Sequence, residues 1–304
     1  MDDTITVSAP GSIMITGEHA VVYGHPAIVA AIEQRVMVEM SFTDDAVLSI
    51  TSQIAEAAQL PMDSLVAEGP YRFVIAAVLR HRERLSGGLH LNIRSEIDPT
   101  LGLGSSAAVT VATLAGLEGA ATLGLHDQAL GIVRELQGRG SGADLAASLH
   151  GGVLSYQLRE DGPAAALPLP IPPQMSLFNV GYKTPTAKVL ARVAKAREDD
   201  PAEIDAIYQE MGDMSAETID LARDGDWEAT GPHLTAYQHL MQRLGVSDDA
   251  LDAAVARAMV ASGVIGAKIS GSGLGDCVLS LGDVPKGFTP VELARQGVVF
   301  HENA

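Results

Sequence analysis

A single cysteine, Cys277, stands in 304 residues, which excludes a disulfide framework and any cysteine-based zinc site. Aromatic residues are scarce at 4%, so the apolar content rests on Ala, Val, Leu and Ile. Positive charge is also short: 20 Lys+Arg against 38 Asp+Glu leave a formal net charge of −18. Such a surface repels phosphate backbones and anionic lipid, which argues against nucleic acid or a membrane as partner. A small anionic ligand stays compatible if the chain builds a local positive site. No apolar run approaches the ~20 residues that span a bilayer. The acidic start MDDTITVSAPGS lacks the basic-then-apolar beginning of a signal peptide. The expectation is a cytoplasmic protein. What the chain does have is core material: 47% hydrophobic and 19% charged residues exclude a disordered chain. Its length suits two domains of about 150 residues.

Short β-like runs open the chain at 4–9, 12–16, 27–32 and 35–42, interrupted by the turn-rich GEHAVVYGHP. Residues 71–85 have helical spacing, and LHLNIRS at 89–95 alternates like a half-buried strand. A long small-residue helix is expected over 105–123, with further helices at 127–136 and 142–149 and a strand at 153–158. Residues 160–175 carry five prolines and read as a linker. Beyond it come a strand at 177–182, helices at 186–197, 201–224, 227–244 and 248–261, and strands at 265–270, 276–281 and 297–300. Strands and helices mix in both halves without strict alternation, so the fold class is α+β in two domains, 1–160 and 161–304. Tyr208, Trp227 and Tyr237 fall in these later helices, where core packing or a homodimer seam is expected.

The most informative stretch is Gly102-Leu103-Gly104-Ser105-Ser106-Ala107. Its glycines free the backbone to approach a ligand, and the helix behind it presents unpaired N–H groups and a positive dipole end. It is neither a Walker A loop nor a GxGxxG fingerprint. A capped helix behind a tight turn is the plainer alternative. A second glycine loop lies at 271–275, and Glu18 and His19 sit in a glycine-bounded turn near the N-terminus.

Taken in order, APGSIMITGEHAVVYGHPAI (9–28), PTLGLGSSAA (99–108) and GAKISGSGLGDC (266–277) resemble the three motifs of the GHMP small-molecule kinases. The resemblance runs from Ser8 to Leu281. It implies an N-terminal domain like ribosomal protein S5 domain 2, a ferredoxin-like C-terminal domain, and an active site between them that takes ATP and Mg²⁺. Carried over residue by residue, it implies ATP contacts at Gly102, Leu103, Gly104, Ser105, Ser106, Ala107, Ser272 and Gly273. It implies Mg²⁺ ligands at Ser106 and, as the nearest upstream glutamate, Glu135. Gly140-Ser141-Gly142-Ala143-Asp144 matches the element that supplies the catalytic aspartate, so Asp144 is the expected base or orienting group. Acceptor contacts are expected at Ser12, Glu18, His19, His25 and Ser141.

Three departures bear on the acceptor. Motif one has Ser12 where a lysine is usual, motif two is one residue short after Pro99, and motif three has Leu274 for a glycine and ends Gly-Asp-Cys. GEHAVVYG and LGVSDDALDAAV (244–255) favour mevalonate kinase, whereas QGRGSGADLAAS (137–148) and the end of motif three are similar to phosphomevalonate kinases. As a whole the chain is most similar to short alphaproteobacterial phosphomevalonate kinases. The resemblance therefore implies 5-phosphomevalonate as acceptor, with mevalonate as the alternative and a non-catalytic ligand sensor as a distant one. Arg139 and Lys183 are the cations expected to face such a phosphate.

Overall fold

The computed structural model describes residues 4–122, 124–159 and 162–302. Two long antiparallel strands, β1 (Ile5–Thr16) and β2 (Ala27–Thr43), open it. The four short runs expected here are these two strands, each bent rather than broken. Pro10 pairs with Arg35 and Gly11 with Ile32, so Glu33 and Gln34 bulge out of the ladder. β3 (Val47–Ser52), β4 (Ala58–Pro61) and β5 (Gly88–Ser95) extend the sheet, the first two unforeseen. α1 (Arg72–His81) precedes β5, and α2 (Ser105–Glu118), α3 (Leu125–Gln137) and α4 (Ala143–His150) follow it. α2 ends at Gly119, short of the expected residue 123, which lies outside the described residues.

β6 (Val153–Gln157) pairs with β2, and β7 (Ala165–Leu169) pairs with β6 at an edge. β7 lies inside the proline-rich stretch read as a linker, which corrects that reading for 165–169. Prolines are compatible with an edge strand because one face of the ladder needs no N–H. The 160/161 domain division lies outside the described residues.

The second domain is a four-stranded antiparallel sheet in the order β11-β8-β10-β9. Its strands are β8 (Met175–Lys183), β9 (Val264–Ser270), β10 (Gly275–Gly282) and β11 (Thr289–Val291). Between β8 and β9 run α5 (Thr186–Asp199), α6 (Pro201–Arg223), α7 (Gly231–Arg243) and α8 (Asp249–Met259). The last strand, β12 (Val299–His301), returns to pair with β1. On the way back Glu33 N–H donates to Glu292 (2.9 Å) and Ala294 N–H to Ala31 (3.0 Å). The chain's end therefore stitches the second domain to the first. The architecture is two-domain α+β, as expected.

α2 is the axle of the first domain. It is apolar nearly all round, built from Ala, Val, Thr and Gly, and it packs against β1, β2, α1 and α4. Thr110 and Thr113 avoid a polar penalty by donating back to the carbonyls of Ser106 and Val109, both at 2.7 Å. The main apolar cluster runs from Val7, Leu91 and Val111 into Trp227, Leu234 and Leu279 of the second domain. Tyr208, Trp227 and Tyr237 are all buried within the single chain, so they serve the core rather than a dimer seam. Among the described residues no helix is long and apolar enough to cross a membrane.

Candidate active site

The site begins where the chain leaves β5. Asp98 accepts from the Thr100 N–H (2.8 Å) and hydroxyl (2.6 Å), and this turn leads into the glycine loop. The Leu103 carbonyl then takes the Ser12 N–H at 3.1 Å, tying the loop to β1. Gly104 starts α2 in the left-handed region, φ 70°, and a Cβ there would come within 2.1 Å of Ser12 Oγ. Only glycine meets both demands. No side chain caps α2, and its first helical bond runs from Ala108 N–H to Gly104 (3.0 Å). The N–H groups of Ser105, Ser106 and Ala107 are thus left for a ligand, at the positive end of a dipole fixed by the core. They line a cleft of about 310 Å³ together with Gly102, Leu103 and Gly104.

The opposite wall is the turn before α4. Gly142 has φ 85°, and a Cβ on it would lie 2.8 Å from the Tyr156 hydroxyl and 2.9 Å from His126 Nε2. Those two groups hold the turn: the Tyr156 hydroxyl donates to the Ser141 carbonyl at 2.5 Å, and His126 Nε2 is 3.0 Å from the Gly142 carbonyl. α4 then carries Asp144 into the cleft, where the Ser12 hydroxyl donates to Oδ1 at 2.8 Å. The residue is exposed along the cleft, and the surrounding protein displaces part of the water from its carboxylate. That desolvation pushes its pKa up, the Ser12 hydrogen bond and the Lys183 charge pull it back, and Asp276 pushes it up again. Gly142→Ala should therefore displace Asp144 without touching any reacting group. A loss of roughly 10- to 100-fold in kcat is expected, read in a steady-state assay.

Motif one forms the cleft floor and meets the second domain. His19 has a positive φ of 61°, which non-glycine residues seldom adopt. It is held there by Nε2, which bonds the Ser272 carbonyl at 2.9 Å. Since a carbonyl can only accept, that nitrogen carries the proton and Nδ1 is left bare. Burial lowers the His19 pKa to about 4, so the ring is neutral near neutral pH. Glu18 is buried, ion-paired through Oε1 with the fully buried Lys268, while its enclosed Oε2 has no hydrogen-bond partner among the described residues. Tyr237 accepts the Gly17 N–H and donates to the Glu18 carbonyl, both at 3.0 Å. Ser270 donates to the Met14 carbonyl (2.8 Å) and accepts its N–H (3.1 Å).

Arg139, Ser141, Lys183 and Ser272 also line the cleft. Arg139 donates to the Tyr23 hydroxyl at 2.9 Å, and the Tyr23 ring stacks on Tyr208 of α6 with centroids 4.7 Å apart. Four expected residues do not line the cleft; Ser12 is buried behind it with its hydroxyl committed to Asp144, so it is no acceptor contact. Glu135 points outward from α3 into an ion pair with Arg80, its side chain 66% exposed, because its helical phase faces away from the cleft. His25 packs on Gly212 of α6, and Gly273 turns towards the Val246 carbonyl; neither reaches the cleft wall. Sequence reasoning missed Tyr237, whose position in a helix gives no signal, and Asp276, noticed only as part of the Gly-Asp-Cys end of motif three.

Comparison with known proteins agrees with this layout. The family described as "GHMP kinases N terminal domain" matches residues 71–152, and "GHMP kinases C terminal" matches residues 218–287. A mevalonate kinase of Archaeoglobus fulgidus is 34% identical over 97% of this chain and 99% of its own length. Among solved structures, the Lin0012 protein from Listeria innocua superposes with a TM-score of 0.87 at 21% identity, covering 99% of this chain and 100% of that one. A mevalonate kinase structure gives 0.76 at 21% identity, covering 96% and 99%. The two glycine loops, the aspartate between them and these full-length likenesses converge: the chain is an ATP-dependent phosphotransferase of the GHMP kinase superfamily.

Proposed function

We propose that this chain phosphorylates mevalonate, transferring the terminal phosphoryl group of ATP to its primary hydroxyl. The observation that carries the reading is Asp144, a carboxylate that lines the same cleft as the phosphate loop, is oriented by the Ser12 hydroxyl and has its pKa raised. An alcohol must lose its proton as it attacks, and a carboxylate displaced towards neutrality is a better base for that proton. A phosphate acceptor, already ionised, has little use for one. The archaeal relative named mevalonate kinase, matched over nearly the whole of both chains, supports the same choice. The balance therefore moves from 5-phosphomevalonate, favoured by the residues around Asp144 and the end of motif three, to mevalonate.

In this reading the nucleotide phosphates lie along Gly102–Ala107, with the Ser105, Ser106 and Ala107 N–H groups on the terminal oxygens. Ser12 orients Asp144, Glu18 and His19 back the acceptor end of the cleft from its floor, and Arg139 and Lys183 balance the added negative charge. The donor set fits a magnesium ion carried mainly by the phosphates. Among the described residues no three His, Cys, Asp or Glu side chains cluster as a metal cage, and magnesium commonly uses one or two protein oxygens plus phosphate. Ser106 would supply a protein oxygen to it; bound there, the ion would neutralise charge on the phosphates.

The test couples ADP release to a detectable signal, with mevalonate and 5-phosphomevalonate offered separately. Turnover with mevalonate and at least tenfold less with 5-phosphomevalonate is expected. The reverse ranking would return the acceptor to 5-phosphomevalonate, and silence with both would sink the pathway assignment.

A further inference from the structure

Asp276 carries two costs at one position. Its backbone sits at φ 59°, in the left-handed region, and its side chain is 3% exposed. The first crowds a residue that carries a Cβ; the second removes water from a carboxylate. Oδ2 is repaid by the Ser272 N–H (2.9 Å) and hydroxyl (3.1 Å). Among the described residues Oδ1 accepts no hydrogen bond, and the Lys183 ammonium lies 3.6 Å from it.

Lys183 ends β8, opposite Gly275 in the ladder with β10. Its ammonium lies 3.4 Å from where a Cβ on Gly102 would stand, and Asp276 Oδ1 lies 2.6 Å from the same point. A carboxylate–ammonium pair from the second domain is thus pressed against the first glycine of the phosphate loop. At 3.6 Å the contact is Coulombic, and among the described residues Lys183 donates no hydrogen bond. Its three N–H donors are free for a ligand, while the charge behind it limits where the long side chain can go. Ser12 offers Asp144 a hydroxyl but no charge, and Lys183 is the cation that acts on that carboxylate.

We propose that Asp276 is a positioning residue, holding the Lys183 ammonium over Gly102 so that it meets the terminal phosphate of the nucleotide and faces Asp144. The inference rests on the reading that phosphates lie along residues 102–107. It makes binding of the phosphate chain depend on a carboxylate that touches no substrate, and couples motif three to motif two across the domain boundary.

A double-variant cycle tests it, reading the Kd of a non-hydrolysable ATP analogue with Mg²⁺ alongside kcat and KM. Asp276→Asn keeps the shape and the acceptor for Ser272, and asparagine tolerates positive φ well, so the fold should survive; a thermal melt checks this. Asp276→Asn and Lys183→Met should each raise Kd and the KM for ATP about tenfold, and the double variant should be no weaker than Lys183→Met alone. A merely structural Asp276 would instead act equally in both backgrounds. That outcome, or unchanged affinity in Asp276→Asn beside weakened Lys183→Met, overturns the positioning role. Full affinity in Lys183→Met overturns the phosphate placement as well, and a wrong acceptor would show in the wild-type protein alone, without altering the binding cycle.

Discussion

Asp144→Asn should lower kcat about 1,000-fold while leaving nucleotide affinity within threefold of wild type. Asparagine has the same outline as aspartate, and its carbonyl oxygen can still accept the Ser12 hydroxyl now 2.8 Å from Oδ1. What it loses is the ability to take a proton and the negative charge. General-base groups contribute typically 10²–10⁴ in rate, so a thousandfold loss corresponds to about 4 kcal/mol at the transition state. The variant should melt no lower than wild type, because an amide is easier to enclose than a carboxylate whose pKa is already raised by desolvation. The sign of the pH dependence follows from the same shift. The base works deprotonated, so kcat/KM should rise as pH climbs through a pKa above the ordinary carboxylate range and level off beyond it. In Asp144→Asn that limb should vanish. More than a tenth of wild-type turnover in the variant would remove Asp144 from the proton-transfer step.

The sequence made local structure and local motifs legible, and hid what depends on distant partners. The phosphate loop, the Gly140–Asp144 turn and nearly all helices could be read because glycine placement and apolar spacing are written over a few consecutive residues. β4 (AQLP) could not, since its four residues carry no alternation and it exists only by pairing with β3. The split of β1 and β2 into shorter runs followed from Pro10-Gly11 and Glu33-Gln34, which face each other at one bulge inside the paired strands rather than at strand ends. Glu135 was drawn in by its distance in sequence from Asp144, yet helical phase turns it outward to Arg80. The grip of the second domain on motif one was invisible for the opposite reason. Glu18 meets Lys268 across 250 residues and Tyr237 across 219, and nothing near either residue announces its partner.

That grip supports a stability prediction of comparable size. Lys268 is fully buried and Glu18 is 3% exposed. The ammonium donates to Glu18 Oε1 and to the Ile269 carbonyl and lies 5.1 Å from the Tyr237 ring centroid. Desolvation lowers the Lys268 pKa, and Glu18 raises it back, which describes a pair that tolerates burial only together. Lys268→Met keeps the length of the chain but leaves Glu18 enclosed without a counter-charge. Removing one partner of such a pair costs about 3–5 kcal/mol. At roughly 2–4 °C per kcal/mol for domains of this size, the melting midpoint should fall by about 10 °C. Adding Glu18→Gln should recover much of that loss, since an amide can be enclosed more cheaply than an orphaned carboxylate. Activity should not return with the stability, because Glu18 and His19 line the cleft and the double variant removes both charges of the pair that seats them. A Lys268→Met midpoint within 2 °C of wild type would mean that the domains are held by their continuous apolar core and that this ion pair adds nothing to it.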